Sequence, residues 1–206
     1  MKTLVLVDLQ NDFLPGGALA VPGGDTVIPI TNQIQDMFPL VVATQDWHPA
    51  NHGSFAANHP GKKLFDQIDL NGLPQTLWPV HCVKGTHGAD LAPGLKRDRI
   101  VKVIQKGTDA GVDSYSGFFD NGHRRGTGLE EWLRENAARE VFVCGLATDY
   151  CVKFTALDAA GLGLKTHFIE DASRGVNLQP GDIERAIEEM KHAGVQIIQS
   201  ADLFQQ

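Results

Sequence analysis

The chain has 206 residues, 42% of them hydrophobic and 21% charged, which suits one α/β domain with a substantial core and is short for two. A formal net charge of −7 and an isoelectric point near 5.5 argue against nucleic acid or an anionic membrane surface as the main partner. The apolar run 4–7 gives way at once to Asp8, Gln10, Asn11 and Asp12, so it is too short for a signal segment or a bilayer span. Three cysteines, Cys82, Cys144 and Cys151, match no disulfide or zinc framework, and a cytoplasmic protein with reduced thiols is expected.

In chain order, strands are expected over 3–7, 40–44, 100–104, 141–144, 166–169 and 195–198. Each is a near-continuous run of Val, Ile, Leu or Phe, the pattern of strands covered on both faces. Helices are expected over 26–37, 129–136, 149–160 and 183–193. Thr127 and Glu130 fit a capping box for the second, and Gly194 fits a stop for the last. This alternation implies a three-layer, doubly wound α/β fold with a mostly parallel six-stranded sheet and helices on both faces. Residues 1–206 are expected to form one domain. The stretch 46–99, rich in Gly, Pro, His and Asn, is too long for a simple connection and reads as a functional excursion.

Ligands of open parallel sheets lie beyond the carboxyl ends of the strands, which directs attention to three residues. Asp8 follows the first strand, where a carboxylate is either a general base or a cap for the polar loop behind it. Lys106 follows the third run, and its position at the same edge as Asp8 distinguishes it from an ordinary surface lysine such as Lys102. Cys151 falls in the first turn of a helix that follows a strand, where the helix dipole and free amides favour the thiolate and can bind an oxyanion. A buried structural thiol is the competing reading for Cys151. Cys144 reads as core filling inside a strand, while Cys82, after a histidine in a loop, stays open.

Asp46 and His48, two apart at the end of the second strand, point the same way in extended chain and make half of a divalent metal site. His52, His59, His81 and His87 are further candidates. His81, in the constrained turn Trp78-Pro79-Val80-His81, is preferred as third ligand. Eight histidines can also cluster by chance, and no standard zinc-module spacing is present.

Five segments together resemble the nicotinamidase/pyrazinamidase branch of the isochorismatase-like hydrolases over nearly the whole chain. They are Val7-Asp8-Leu9-Gln10-Asn11-Asp12-Phe13, Asp46-Trp47-His48-Pro49, Trp78-Pro79-Val80-His81-Cys82-Val83, Lys106-Gly107 with Tyr115-Ser116-Gly117-Phe118, and Gly145-Leu146-Ala147-Thr148-Asp149-Tyr150-Cys151-Val152. The resemblance implies an Asp8–Lys106–Cys151 triad and a divalent metal on Asp46, His48 and His81, zinc first and iron(II) or manganese(II) next. It further implies a cis peptide bond before Ala147, an oxyanion hole from the Ala147 and Cys151 amides, and a substrate pocket walled by Phe13 and Trp78 with Leu146 and Tyr150 nearby. His52 and Ser54 are left open as water-mediated contributors at the metal. The implied reaction is hydrolysis of nicotinamide, and of pyrazinamide, to the acid and ammonia through a cysteine thioester. The implied partner is a small carboxamide, and a homo-oligomer is left open. Two alternatives remain: a metal-independent cysteine amidohydrolase of ureido or carbamoyl compounds, and a non-catalytic pyridine-binding protein.

Overall fold

A computed structural model describes residues 1–205. In chain order its strands are β1 (Lys2–Val7), β2 (Leu40–Asp46), β3 (Gln67–Leu70), β4 (Leu73–Thr76), β5 (Ile100–Lys106), β6 (Glu140–Leu146), β7 (Lys165–Arg174) and β8 (Gln196–Ile198). The α-helices are α1 (Val27–Ile34), α2 (Leu129–Glu135), α3 (Lys153–Gly161) and α4 (Asp182–His192). All six expected runs enter one sheet in the order β5-β2-β1-β6-β7-β8, and every neighbouring pair is parallel.

The period-2 geometry of a strand divides β1 between two cores. Leu4 and Leu6 pack with Ile28 and Ile34 of α1 on one face, while Val5 and Val7 pack with Leu133 of α2, Ala156 of α3 and Met190 of α4 on the other. That arrangement explains why the strand reads as an unbroken apolar run. The strand β5 departs from the expectation of two covered faces. It is an edge strand, with Val101 61% and Val103 39% exposed.

The expected helix 26–37 is three pieces, with 3-10 turns at Gly24–Thr26 and Gln35–Met37 flanking α1. The expected helix 149–160 opens with a wide π turn, Thr148–Val152, in which the Val152 amide reaches five residues back to the Ala147 carbonyl at 3.1 Å. The Thr127–Glu130 capping box does not form. Gly128 is the N-cap at φ 95°, and Thr127 Oγ1 accepts the Leu129 amide at 3.2 Å and donates to the Gly117 carbonyl at 2.6 Å. Gly194 does follow the α4 C-cap at φ 87°, as expected for a helix stop.

The excursion holds an antiparallel hairpin, β3–β4, that periodicity did not reveal. Its turn is Asn71-Gly72, both at positive φ (54° and 87°), the signature of a two-residue type I′ connection. At the opposite end of the sheet's logic stands Gly145. Its φ is 123°, and a Cβ there would lie 2.2 Å from the Val7 carbonyl oxygen. Only glycine lets β6 run so close to β1 where both strands end. Among the described residues, no helix is long and apolar enough to cross a membrane.

Candidate active site

The strands β5, β2, β1 and β6 lie side by side, so their carboxyl ends deliver Lys106, Asp46, Asp8 and the Leu146–Ala147 link to one place. The chain winds outward from β1 to β2 and β5, then returns to β6 on the other side of β1. The β1/β6 crevice is therefore the topological switch point, where such sheets bind ligands.

Lys106 is the hub. Its Nζ lies 2.9 Å from Asp8 Oδ2 and 2.6 Å from Asp46 Oδ1, donates to the Ser114 carbonyl at 2.8 Å and reaches Cys151 Sγ at 3.4 Å. Asp8 and Lys106 are buried. Thr44 Oγ1 donates to Asp8 Oδ1 at 2.6 Å, and Cys151 Sγ lies within 4.8 Å of an Asp8 carboxylate oxygen. The structure thus brings together all three residues of the expected triad.

Burial sets the protonation states. It lifts the Asp8 carboxyl to about 6, against the pull of Lys106. Burial would also raise Asp46, but Lys106 and His48 hold that carboxyl well below the usual range. Lys106 would lose its proton to burial but for Asp46 and Asp8, which push its pKa well up. For Cys151 the helix-start argument is overruled. Burial and the two carboxylates outweigh Lys106 and raise the thiol well above its ordinary value. These surroundings favour the neutral thiol of Cys151 over a standing thiolate.

The Asp46, His48 and His81 side chains each offer a ligand atom within 4.8 Å of the others. His48 Nδ1 bonds the Gly107 carbonyl at 2.8 Å and His81 Nδ1 bonds the Pro79 carbonyl at 2.8 Å. Those bonds fix both rings with Nε2 toward Asp46 Oδ2, at 3.5 and 3.9 Å. Two imidazoles and a carboxylate, each oriented by an outer partner, suit a divalent transition metal. Burial and His48 hold His81 down to about 4, which leaves the imidazole neutral, as a ligand must be. Gly107 is required here, because a Cβ would sit 2.3 Å from the His48 ring. His52 stacks on His48 with ring centroids 4.3 Å apart. Its Nδ1 contacts Ser54 Oγ at 2.7 Å, its Nε2 is buried without a partner, and it forms a second candidate donor group with His48 and Asp113.

One pocket receives both halves of the site. Cys151, Ala147, Asp46 and His81 line it, with Phe13, Trp78 and Tyr150 among its aromatic walls. Trp78 meets Tyr150 edge-on at 4.8 Å, and Trp78 Nε1 donates to the Tyr115 hydroxyl at 3.1 Å. The Leu146–Ala147 peptide bond is cis. Leu146 itself departs from the sequence reading: it is fully buried in the α1-side core and does not line the pocket. Leu146, the last residue of β6, packs inward, while Ala147, just past the strand's end, lines the cavity.

Sequence reasoning missed Thr44, Asp113 and Tyr115, as well as Leu19, Val21 and Val176 on the pocket wall. Tyr115 lies inside a motif segment and could have been found by its place after Lys106. The others carry no local signal, since their roles arise from loops meeting in space. Cys82 is fully buried, and its amide donates to Asp12 Oδ2 at 2.7 Å. Burial and Asp46 raise its thiol well up, so it is a structural cysteine.

A profile of the isochorismatase domain matches residues 2–202. The chain belongs to the isochorismatase family. Within that family it is 52% identical to a nicotinamidase of Escherichia coli over 205 residues, covering 98% of this chain and 96% of the relative. A solved nicotinamidase/pyrazinamidase of Acinetobacter baumanii superposes with a TM-score of 0.96 at 50% identity, covering 98% of this chain and 97% of that one. A pyrazinamidase of Pyrococcus horikoshii, solved in complex with zinc, superposes at 0.78 with 41% identity, covering 96% and 98%.

In this isochorismatase-family site, Lys106→Met leaves Asp8 and Asp46 buried without their cation. The substitution is expected to lower the stability of metal-free protein by about 3–5 kcal/mol, read from urea midpoints. An unchanged midpoint would show that the two carboxylates do not depend on Lys106.

Proposed function

We propose that this chain is a nicotinamidase, an amidohydrolase that converts nicotinamide to nicotinic acid and ammonia through a thioester on Cys151, and that also accepts pyrazinamide. The observation that carries the reading is the shared pocket. A thiol with a base behind it and a metal-type donor pair open onto one aromatic-walled cavity. A ureido or carbamoyl amidohydrolase would have no use for the donors facing the thiol.

Asp8 takes the Cys151 proton as Sγ attacks the carboxamide carbon, and Lys106 balances the charge that stays on the pair. The amides of Ala147 and Cys151 receive the oxyanion. Asp8 then returns the proton to the departing amine, which leaves as ammonia. In the second half Asp8 deprotonates a water that attacks the thioester, and the acid departs as the thiol regains its proton. Asp46, His48 and His81 would hold a divalent ion, zinc first, which supplies a Lewis-acid anchor for the pyridine nitrogen and so orients the ring. Phe13, Trp78 and Tyr150 sandwich and flank that ring.

Purified, zinc-supplied protein is expected to release ammonia from nicotinamide, with turnover abolished in Cys151→Ala. Chelation should raise KM while iodoacetamide still alkylates Cys151. A folded, metal-replete protein without turnover would sink the assignment.

The pH profile offers a second check. With Asp8 near 6, kcat/KM should fall as pH drops through that region, because protonated Asp8 cannot accept the thiol proton. The Thr44 hydroxyl favours the carboxylate, so Thr44→Val should move the acidic limb to higher pH. A limb that stays put or moves lower would count against Asp8 as the base.

A further inference from the structure

The loop leaving β1 carries a side chain that neither the triad nor the ligand set uses. Gln10 is fully buried, and its amide is spent on backbone. Nε2 donates to the Asp46 carbonyl and to the Ala89 carbonyl, each at 2.8 Å. Oε1 accepts the Asp46 amide, also at 2.8 Å. Both the N–H and the C=O of Asp46 are therefore held by one side chain.

The reason lies in the sheet. The pairing of β1 with β2 runs from Thr3↔Leu40 and ends at Leu6↔Ala43, and the chain has turned away at Asp8, where φ is 49°. On its other side Asp46 still pairs with Lys106 of β5. The Gln10 amide supplies Asp46 with the donor and acceptor that a continuing β1 would have offered, three residues past the last β1–β2 pair at Ala43. A primary amide can do this because it carries both functions in one plane.

We infer that Gln10 is a positioning residue for metal binding: by fixing the Asp46 backbone it divides the carboxylate between Lys106 at Oδ1 and the two histidines at Oδ2. This rests on the reading of Asp46, His48 and His81 as the metal ligands. Gln10→Glu replaces the donor with a carboxylate oxygen against two carbonyls. Gln10→Met keeps the length and removes both hydrogen-bonding functions. Neither touches the substrate, the thiol or the ion.

The test is equilibrium dialysis of Zn2+ against wild type, both Gln10 variants and Asp46→Asn, beside circular dichroism and iodoacetamide alkylation of Cys151 in metal-saturated protein. The Gln10 variants should fold and alkylate at the wild-type rate, yet bind Zn2+ roughly 10–100-fold more weakly, the range for loss of an outer-shell partner. Their KM should rise more than their kcat falls, and excess Zn2+ should restore activity. If Gln10→Glu does not fold, Gln10→Met decides. Unchanged Zn2+ affinity in a folded Gln10 variant, with weakened binding in Asp46→Asn, would overturn the inference and spare the ligand assignment. Unchanged binding in Asp46→Asn would overturn the ligand assignment itself. Loss of folding in both Gln10 variants while Asp46→Asn folds would also overturn the inference, because Gln10 would then determine the fold and not the metal geometry.

Discussion

Burying an ammonium at the end of a parallel sheet costs several kcal/mol unless close anions offset it. Lys106 meets that condition with Asp8 on one side and Asp46 on the other, and much else in the site follows. Asp8 stays close enough to Cys151 to take its proton. Asp46 keeps one oxygen on the lysine and turns the other toward His48 and His81. Asp8, beside Cys151, and the metal-type donors are thus joined through a single cation, which the end of β5 supplies next to the ends of β2 and β1.

That arrangement also explains how a deeply buried thiol can serve as a nucleophile. The surroundings disfavour a free thiolate, with burial and two carboxylates opposing Lys106. What they favour is a proton moving from sulfur to Asp8 while the charge on the group stays constant, as coupled titration allows. The move adds no net charge to the buried group.

Much of this was legible in the chain. The runs around Val5, Val42, Val143 and Phe168 announced central strands because both their faces are covered, and Asp8, Asp46, Lys106 and Cys151 stood where those strands end. What was not legible has a physical cause in each case. Exposure of Val101 and Val103 depends on β5 being an edge, which no local pattern encodes. The β3–β4 hairpin is short, and its Asn71-Gly72 turn was the one available signal. The resemblance places Leu146 near the pocket, whereas this last residue of β6 packs into the core beneath it. Gln10 looked like loop polarity until the ladder it completes was seen.

The central claim is that the acyl group passes through Cys151. The most direct measurement is acid quenching of the zinc-loaded protein during the first turnovers of nicotinamide, followed by digestion and mass spectrometry of the Cys151 peptide. The account predicts a nicotinoyl group on Cys151 that disappears once substrate is exhausted. A nicotinoyl group on another residue, or a pre-steady-state burst with Cys151 unmodified, would contradict it.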